Sequence, residues 1–467
     1  INLPFFNLKY LEHKVKGCYM QQGQSLIESL YQRQVPRYTS YPTALEFRNK
    51  DLSHKLHDAL RKAQSPLSLY VHIPFCRSLC YYCGCNKTIT QNTDKADHYL
   101  QAIATEVAQT TSGLIEPSAS HLHLGGGSPS FFSLTQHKQL LSILQTHIQW
   151  LTDCQMSIEL DPRNCDQEYI LGLAQLGYKR LSFGVQDTSS EVQTTINRVQ
   201  CSEHIAMLIK TAYEAGFINI NVDLIVGLPK QSLSSIAQTL QEVLSWNVER
   251  ITVFNYAHLP HRFAAQRKFR EDQLPASEIR QSMSKYINQH LNSKGYVNIG
   301  MDHYAKPTDP LVKAMQKGEL QRNFQGYTAD HNSNILGFGV SSISTIEDVV
   351  AQNPVKLKDY YAALPAQTLH NRGLVLSQDD RVRRQIISEL MCNYQCDLQG
   401  ICDKFAVDMA LYFADELATL VNYHHQGLLE FEHGKIRVKQ VHRSLIRVIA
   451  SIFDAYYIPQ KGFSKVI

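Results

Sequence analysis

The sequence predicts an α/β fold: a partial (β/α)6, TIM-like barrel with an N-terminal extension and a smaller, mostly helical, winged-helix-like C-terminal domain. Three observations predict it. Six strand-like segments between residues 68 and 256 alternate with amphipathic helices, as parallel strands joined by right-handed crossovers require. Five of those strands carry polar residues at every second position, whereas parallel strands covered on both faces read as continuous apolar runs. The segments rich in cysteine, glycine and carboxylate stand just after strands, where the loops of such a barrel carry its chemistry.

Residues 1–67 form a lead-in expected to cover the active site. Within it, Pro36 and Pro42 frame an extended segment, because each proline disfavours helix at the residue before it. The chain starts at Ile1 and Met20 follows, so the sequence leaves open whether residues 1–19 are a native extension or lie upstream of the biological start. Residues 68–374 are read as the barrel with a substrate-side extension. Its strands are Ser68–Phe75, His121–Leu124, Met156–Leu160, Arg180–Gln186, Phe217–Val226 and Arg250–Tyr256. The helix Asp94–Thr110 places Ala96, Tyr99, Leu100, Ile103 and Val107 on one face. The other helices fall near residues 128–150, 167–176, 188–215 and 233–246. After residue 260 a helix at Ala276–Leu291 precedes strand-like Tyr296–His303 and Ile335–Ile343. Residues 375–467 form a separate helical block with a hairpin around His433-Gly434.

The polar stripe is specific. Tyr70 and His72 share one strand face, as do His121 and His123, Glu159 and Asp161, Ser182 and Gln186, and Asn219, Asn221 and Asp223. The opposite faces carry Leu69, Val71, Ile158, Leu160, Ile220, Val222 and Leu224. A curved sheet around a wet or cofactor-filled lumen explains that division.

The composition is that of an ordinary globular enzyme. Among 467 residues, 46 are basic and 42 acidic, a net charge of +4 too balanced to imply nucleic-acid binding. No apolar run approaches the roughly 18 residues of a membrane span. Eleven cysteines without a secretion signal point to a reducing cytoplasm.

Four of those cysteines stand within ten residues, Cys76-Arg-Ser-Leu-Cys80-Tyr-Tyr-Cys83-Gly-Cys85, directly after the first strand. Such a soft, sulfur-rich site suits an iron–sulfur cluster or zinc. Structural zinc usually takes two separated pairs of ligands, which favours the cluster here. Three thiolates on a cubane leave one iron open for a substrate or cofactor. Gly125-Gly126-Gly127 ends the second strand and permits close backbone approach to a ligand.

C-x3-C-x2-C after the first strand of a partial barrel resembles the signature of radical S-adenosylmethionine (SAM) enzymes. The stretches Tyr70–Cys76, Cys83–Lys87, Gly125–Pro129, Phe254–Pro260, Met301–Ala305 and Phe324–Thr328 together resemble the oxygen-independent coproporphyrinogen III oxidase (dehydrogenase) family, from about Pro36 to the C-terminus. Ser128 stands where that family commonly has threonine, and Leu124 where an aromatic residue is common. The resemblance implies a 4Fe–4S cluster on Cys76, Cys80 and Cys83, with one SAM chelated to the open iron. It implies Tyr70, Gly126, Glu159 and Ile343 around that SAM. A second SAM would be lined by Tyr82, Gly127, Ser128, Gln186, Arg198, Asp223 and Ala257. The implied reaction is oxidative decarboxylation of two propionates of coproporphyrinogen III, through a 5′-deoxyadenosyl radical, to the vinyl groups of protoporphyrinogen IX in haem synthesis. The implied partners are this substrate and an electron donor such as a flavodoxin or ferredoxin, with no nucleic acid, no membrane and a monomeric, cytoplasmic protein.

The substrate is a polyanion, and Arg37, Lys306 and Arg322 are candidates for its carboxylates. Cys85 is read as a non-ligand, because a fourth thiolate would close the open iron. Cys392, Cys396 and Cys402 are read as buried structural thiols. The rival readings are a haem-binding chaperone of the same superfamily and a zinc-stabilised nucleic-acid-binding protein. The Pro36–Pro42 lead-in, Cys85-Asn86-Lys87 and Asn255–Pro260 side with the enzyme branch.

Overall fold

The computed structural model describes residues 27, 29–63, 66–330 and 334–459. The possible start at Met20 lies outside them. The chain divides into two compact units. One holds residues 44–321 and 328–377; the other joins residues 1–43 and 322–327 to 378–467.

The larger unit is built on seven consecutive parallel strands. These are β1 (Leu67–Ile73), β2 (Ser118–Gly126), β3 (Gln149–Leu160), β4 (Arg180–Gln186), β5 (Asn219–Val226), β6 (Arg250–Asn255) and β7 (Ile335–Phe338). In space β7 precedes β1, and β1 to β6 follow in chain order. This is the (β/α) barrel-like core the alternation predicted. The seventh strand corrects the sequence reading, which ran one strand from Ile335 to Ile343. The chain instead turns at Gly339–Ser342 and returns antiparallel as Ile343–Ile346. Tyr296–His303 likewise splits into a hairpin, Val297–Gly300 and His303–Ala305, with Met301 at φ 44° in its bend.

Cross-strand register brings the polar stripe into rows. Tyr70 lies between Gly337 and His123, and His123 lies opposite Ser157. Glu159 faces Ser182, Ser182 faces Asn221, and Asp223 faces Thr252. Hydrogen bonds knit the stripe along and across the rows: His123–Ser157 at 2.7 Å and Asn221 to Ser182 at 2.8 Å lie in rows, and Ser182 at 2.9 Å and Asn221 at 2.8 Å both donate to Asp223. The alternate residues Leu69, Val71, Leu124, Ile158, Phe183, Val222 and Leu224 are fully buried. They pack beneath the crossover helices in one continuous apolar core with Tyr99, Ile103, Leu140, Leu173, Leu208, Leu240 and Ile287. Period-two alternation thus sorts one strand face to the helices and the other to the lumen. Ser133 and Ser232 cap two of the crossover helices through reciprocal capping boxes, which fixes where each helix starts.

One buried carboxyl ties β7 to the first crossover helix, Asp94–Thr111. Glu106 accepts from Gly339 N–H (2.7 Å), Tyr360 O–H (2.6 Å) and Asn353 Nδ2 (2.5 Å). On the same helix the Tyr99 hydroxyl donates to His72 O (2.7 Å) and accepts from Val340 N–H (2.9 Å). Glu106→Ala orphans three buried donors and is expected to cost about 2–4 kcal/mol, read as a lower denaturant midpoint. Burial pushes the Glu106 carboxyl from 4.5 up to about 7, against its three hydrogen bonds. The proton is therefore held more tightly in the fold. The stabilisation linked to it is complete below pH 4.5 and is lost as pH rises through 7. Glu106→Gln is expected to remove that slope from the pH profile of stability.

The smaller unit contains helices Gln378–Asn393, Leu398–Lys404 and Ala414–His425, and a three-stranded sheet of Gln395–Asp397, Lys435–Val438 and Leu429–Glu432. The helical C-terminal region is as the sequence predicted, with a third strand added to its hairpin. Cys392, Cys396 and Cys402 are buried. No helix among the described residues is long and apolar enough to cross a membrane.

Candidate active site

The Cys76–Cys85 loop leaves the carboxyl end of β1 and is clasped at its base. Phe75–Cys76 pairs with Thr88–Ile89, and the Thr88 and Thr90 amides donate to Pro74 O (2.6 Å) and Cys76 O (3.0 Å). The loop that follows β4 grips its middle, through Tyr81 N–H to Ile196 O (3.0 Å) and Asn197 Nδ2 to Leu79 O (2.8 Å). Cys76 and Cys83 are half-buried, Cys80 is buried and Cys85 is exposed.

The three inner thiols sit in different fields. Cys80 Sγ accepts from two guanidiniums, Arg198 Nη1 and Arg163 Nη2, each at 3.4 Å. Cys83 Sγ accepts from the Cys85 amide at 3.4 Å, and Lys87 Nζ donates to Cys83 O at 2.8 Å. A hydrogen bond with the Cys85 thiol, followed by the Lys87 charge and the Cys85 amide, lowers the Cys83 thiol from 9.0 to about 6 despite burial. Burial, then the neighbouring Cys83 and Cys80, pushes Cys76 up to about 12. The donors around Cys83 favour its thiolate, as a cluster ligand demands. Among the described residues, no three His, Cys, Asp or Glu side chains converge on a single metal ion. A cubane asks for something else, because each thiolate binds its own iron and the sulfurs stand apart. The donor set fits that group.

Cys80's two arginines meet at one carboxylate. Asp161 accepts from Arg198 Nη1 (3.1 Å) and, in bidentate fashion, from Arg163 (Nε 2.9 Å, Nη2 2.6 Å). Burial would raise the Asp161 carboxyl, but Arg198 and then Arg163 hold it below its usual 3.8. Arg198 also donates to Gly184 O, with Nη2 at 2.5 Å. A β-carbon at Gly184 would stand 2.9 Å from Gln186 Nε2 and 3.0 Å from Arg198 Nη2, so glycine is what lets those side chains lie together. Asp223 stands opposite Gly184 on β5. Burial, then repulsion from Glu159, raises Asp223 to about 6.

The first strands form the other wall. His72 Nε2 lies 3.0 Å from Asn86 O, which only accepts, so Nε2 carries the proton and Nδ1 accepts from Tyr70 O–H at 3.1 Å. Tyr70 stacks on His123, with centroids 6.0 Å apart. Glu159 accepts from His123 Nε2 (3.2 Å) and Gly126 N–H (3.4 Å). Burial opposes ionisation of Glu159, but the His123 hydrogen bond and charge, with the Gly126 amide, hold its carboxyl below the usual value. Its side chain is still 46% exposed into the lumen, free to accept from a ligand. Gly126 has φ +119°, and a β-carbon there would meet the His72 ring at 2.7 Å, so the turn requires glycine.

The remaining candidates join these walls. The Ile343 carbonyl lies 2.8 Å from where a Gly337 β-carbon would be, and Gly337 pairs with Tyr70. Gly127 N–H donates to Ile73 O at 2.8 Å. Ser128 Oγ contacts Ser130 Oγ (2.7 Å), which in turn accepts from the Asp161 amide (3.2 Å). Gln266, 1% exposed, donates to Tyr82 O (2.9 Å) and Ala257 O (3.1 Å) and accepts from Leu259 N–H (2.6 Å).

Sequence reasoning missed Arg163 and Gln266. Arg163 follows Asp161-Pro162 as an ordinary surface cation would, and Gln266 lies in a polar stretch with no periodicity. Lys306 is a correction. Its Nζ donates to Asn247 O (2.5 Å) and pairs with Glu249 (3.5 Å), at the amino end of β6 and away from the cysteine loop. Arg37 and Arg322 belong to the other unit, where Arg322 lies over the Tyr327 ring at 4.5 Å. There burial, followed by repulsion from Arg447 and Arg322, lowers Arg37 to about 9.

Residues 70–243 match the family model described as the radical SAM superfamily. The oxygen-independent coproporphyrinogen III oxidase of Escherichia coli (strain K12) is 43% identical over 439 residues, 92% of this chain and 96% of that protein. The enzyme of the same name from Pseudomonas aeruginosa is 41% identical over 442 residues, with 92% and 96% covered. A solved structure of coproporphyrinogen III oxidase from Escherichia coli, described as a radical SAM enzyme, superposes with a TM-score of 0.88 at 42% identity. It covers 91% of this chain and 100% of that one.

Proposed function

The chain belongs to the family of oxygen-independent coproporphyrinogen III oxidases, and from that premise we propose that it converts two propionates of coproporphyrinogen III to vinyl groups, giving protoporphyrinogen IX. The observation that carries this reading is the extent of the likeness, 92% of this chain and 96% of the Escherichia coli relative. When bound, a 4Fe–4S cluster and SAM supply the electron and the 5′-deoxyadenosyl radical that removal of a propionate hydrogen needs, chemistry no side chain offers.

The chain's own residues bind, orient and set charge. Cys76, Cys80 and Cys83 hold the cluster, and Cys85 stays unligated, lending its amide to Cys83. Tyr70, Gly126, Glu159 and Ile343 hold the first SAM. The ionised Glu159 carboxylate takes up ribose hydroxyls or the ammonium group. Tyr82, Gly127, Ser128, Gln186, Arg198, Asp223 and Ala257 hold a second SAM, with Arg198 already fixed by Asp161 and Gly184. In the same reading the protein is a cytoplasmic monomer, and a flavodoxin- or ferredoxin-type protein supplies electrons.

The test is anaerobic turnover. Reconstituted protein, dithionite, SAM and coproporphyrinogen III are incubated and the porphyrins resolved by carboxylate number. The expected products are the tricarboxylic intermediate and then the dicarboxylic protoporphyrin. A fully clustered protein that cleaves SAM yet leaves all four carboxylates in place would refute the oxidase reading.

A further inference from the structure

We propose that the exposed basic ridge at residues 261–270 is the docking surface for a small acidic electron-carrier protein that reduces the cluster. The inference rests on the reading of Cys76, Cys80 and Cys83 as cluster ligands. It adds a place on the surface and a reason for that place.

The ridge is fastened to the cysteine loop at two points. The buried Gln266 side chain donates to Tyr82 O at 2.9 Å, one residue before Cys83. The Phe263 ring covers Gly84, one residue after it, so closely that a β-carbon there would be 2.9 Å away. Gly84 and Cys85 are themselves exposed, so the outer surface of the loop is open beside the ridge.

The charge of the ridge is a local departure. Residues 261–270 contain Arg262, Arg267, Lys268 and Arg270 with no Asp or Glu, in a chain with 46 basic against 42 acidic residues. All four side chains are exposed, as is His261. Arg270 is paired with Asp272. Arg262 lies over the Phe263 ring at 5.5 Å, which holds its charge beside Gly84. The Arg267 guanidinium is steadied by Pro260 O at 3.0 Å. Among the described residues, Arg262, Arg267 and Lys268 have no carboxylate partner, although Glu271 and Asp272 follow them in sequence. Cations held out into solvent beside a redox centre attract an acidic carrier and orient it before contact. Electron-transfer contacts are small and brief, so a short charged ridge suffices where a stable interface would need an apolar centre. The step moves one electron. The carrier is oxidised by one electron as the cluster is reduced by one, and no bond or proton moves.

The test reads cluster reduction and leaves porphyrin turnover aside. Holoprotein is mixed with reduced flavodoxin, or separately with dithionite, and bleaching of the visible cluster band is followed. The triple variant Arg262→Glu/Arg267→Glu/Lys268→Glu is expected to slow reduction by flavodoxin by about tenfold or more, leaving the dithionite rate unchanged. Arg267→Glu/Lys268→Glu, which leaves the Phe263 contact intact, should show the same split to a smaller degree. Salt should slow the wild-type reaction with flavodoxin, because exposed charges are screened over about 10 Å at 0.1 M. Calorimetry should show weaker flavodoxin binding by the triple variant. A wild-type rate with flavodoxin in the triple variant, or equal slowing with both reductants, would overturn the docking assignment. A protein that passes this test and fails to decarboxylate coproporphyrinogen would instead refute the oxidase reading.

Discussion

Cys76→Ser is expected to yield a colourless protein without turnover, whereas Cys85→Ser is expected to assemble a brown cluster. A serine hydroxyl is a hard, neutral group where a soft thiolate is required. Nor can the loop shift another cysteine into the vacant position, because Cys76 O is bonded to the Thr90 amide and the Phe75–Cys76 segment is paired with Thr88–Ile89. Cys85 differs in kind. Its side chain is exposed, and what it gives the site is a thiol and a backbone N–H that both hydrogen-bond Cys83; serine keeps the N–H and offers a hydroxyl donor in place of the thiol. Iron and sulfide per chain, with the visible absorption of anaerobic protein, distinguish the two variants. Iron-free Cys85→Ser protein would mean that four thiolates are needed, and the open iron would have to be given up.

Much of this site was legible in the sequence because its signals are local. The cysteine spacing, the glycines and the alternation of polar and apolar residues each lie within a few positions of one another. Strand period two then carries Glu159, Asp223 and Tyr70 to the lumen without knowledge of the rest of the chain. What escaped depends on residues distant in sequence. Ile335–Phe338 reads as an unremarkable apolar run, and only its pairing with Ser68–Val71 makes it a seventh parallel strand. Lys306 has the right charge and a family-like neighbourhood, but Glu249 and Asn247 claim it at the far end of β6. Gln266 is one polar residue among many until its amide is seen between Tyr82 and Ala257. Gly184 looks like a weak point in a strand, yet its missing side chain is the space that Arg198 and Gln186 occupy.

Asp161→Ala is expected to destabilise the larger unit by about 3–5 kcal/mol, more than removing either of its arginines, because it strands two guanidiniums at once. The Arg198 and Asp161 side chains are only 6% and 11% exposed, and that of Arg163 is 18% exposed. Removing Arg198 leaves Asp161 its bidentate bond to Arg163; removing Asp161 leaves two like charges side by side against the Cys80 sulfur. Asp161→Asn keeps the size and an acceptor oxygen but not the charge, so it should lie between wild type and alanine. The pH dependence follows from the direction of the shift. Since Arg198 and Arg163 hold the Asp161 carboxyl below 3.8, its stabilising contribution is present above pH 3.8 and is lost as pH falls through the lower folded value. Acid unfolding of wild type should therefore be steeper than that of Asp161→Asn below about pH 4. Chemical denaturation of apo-protein at pH 7 and at a series of values below about pH 4 measures both effects without any cofactor. If Asp161→Ala unfolds at the wild-type midpoint, the two arginines must find other anions, and the Cys80 sulfur, already within reach of both, is the group that would have to take their charge.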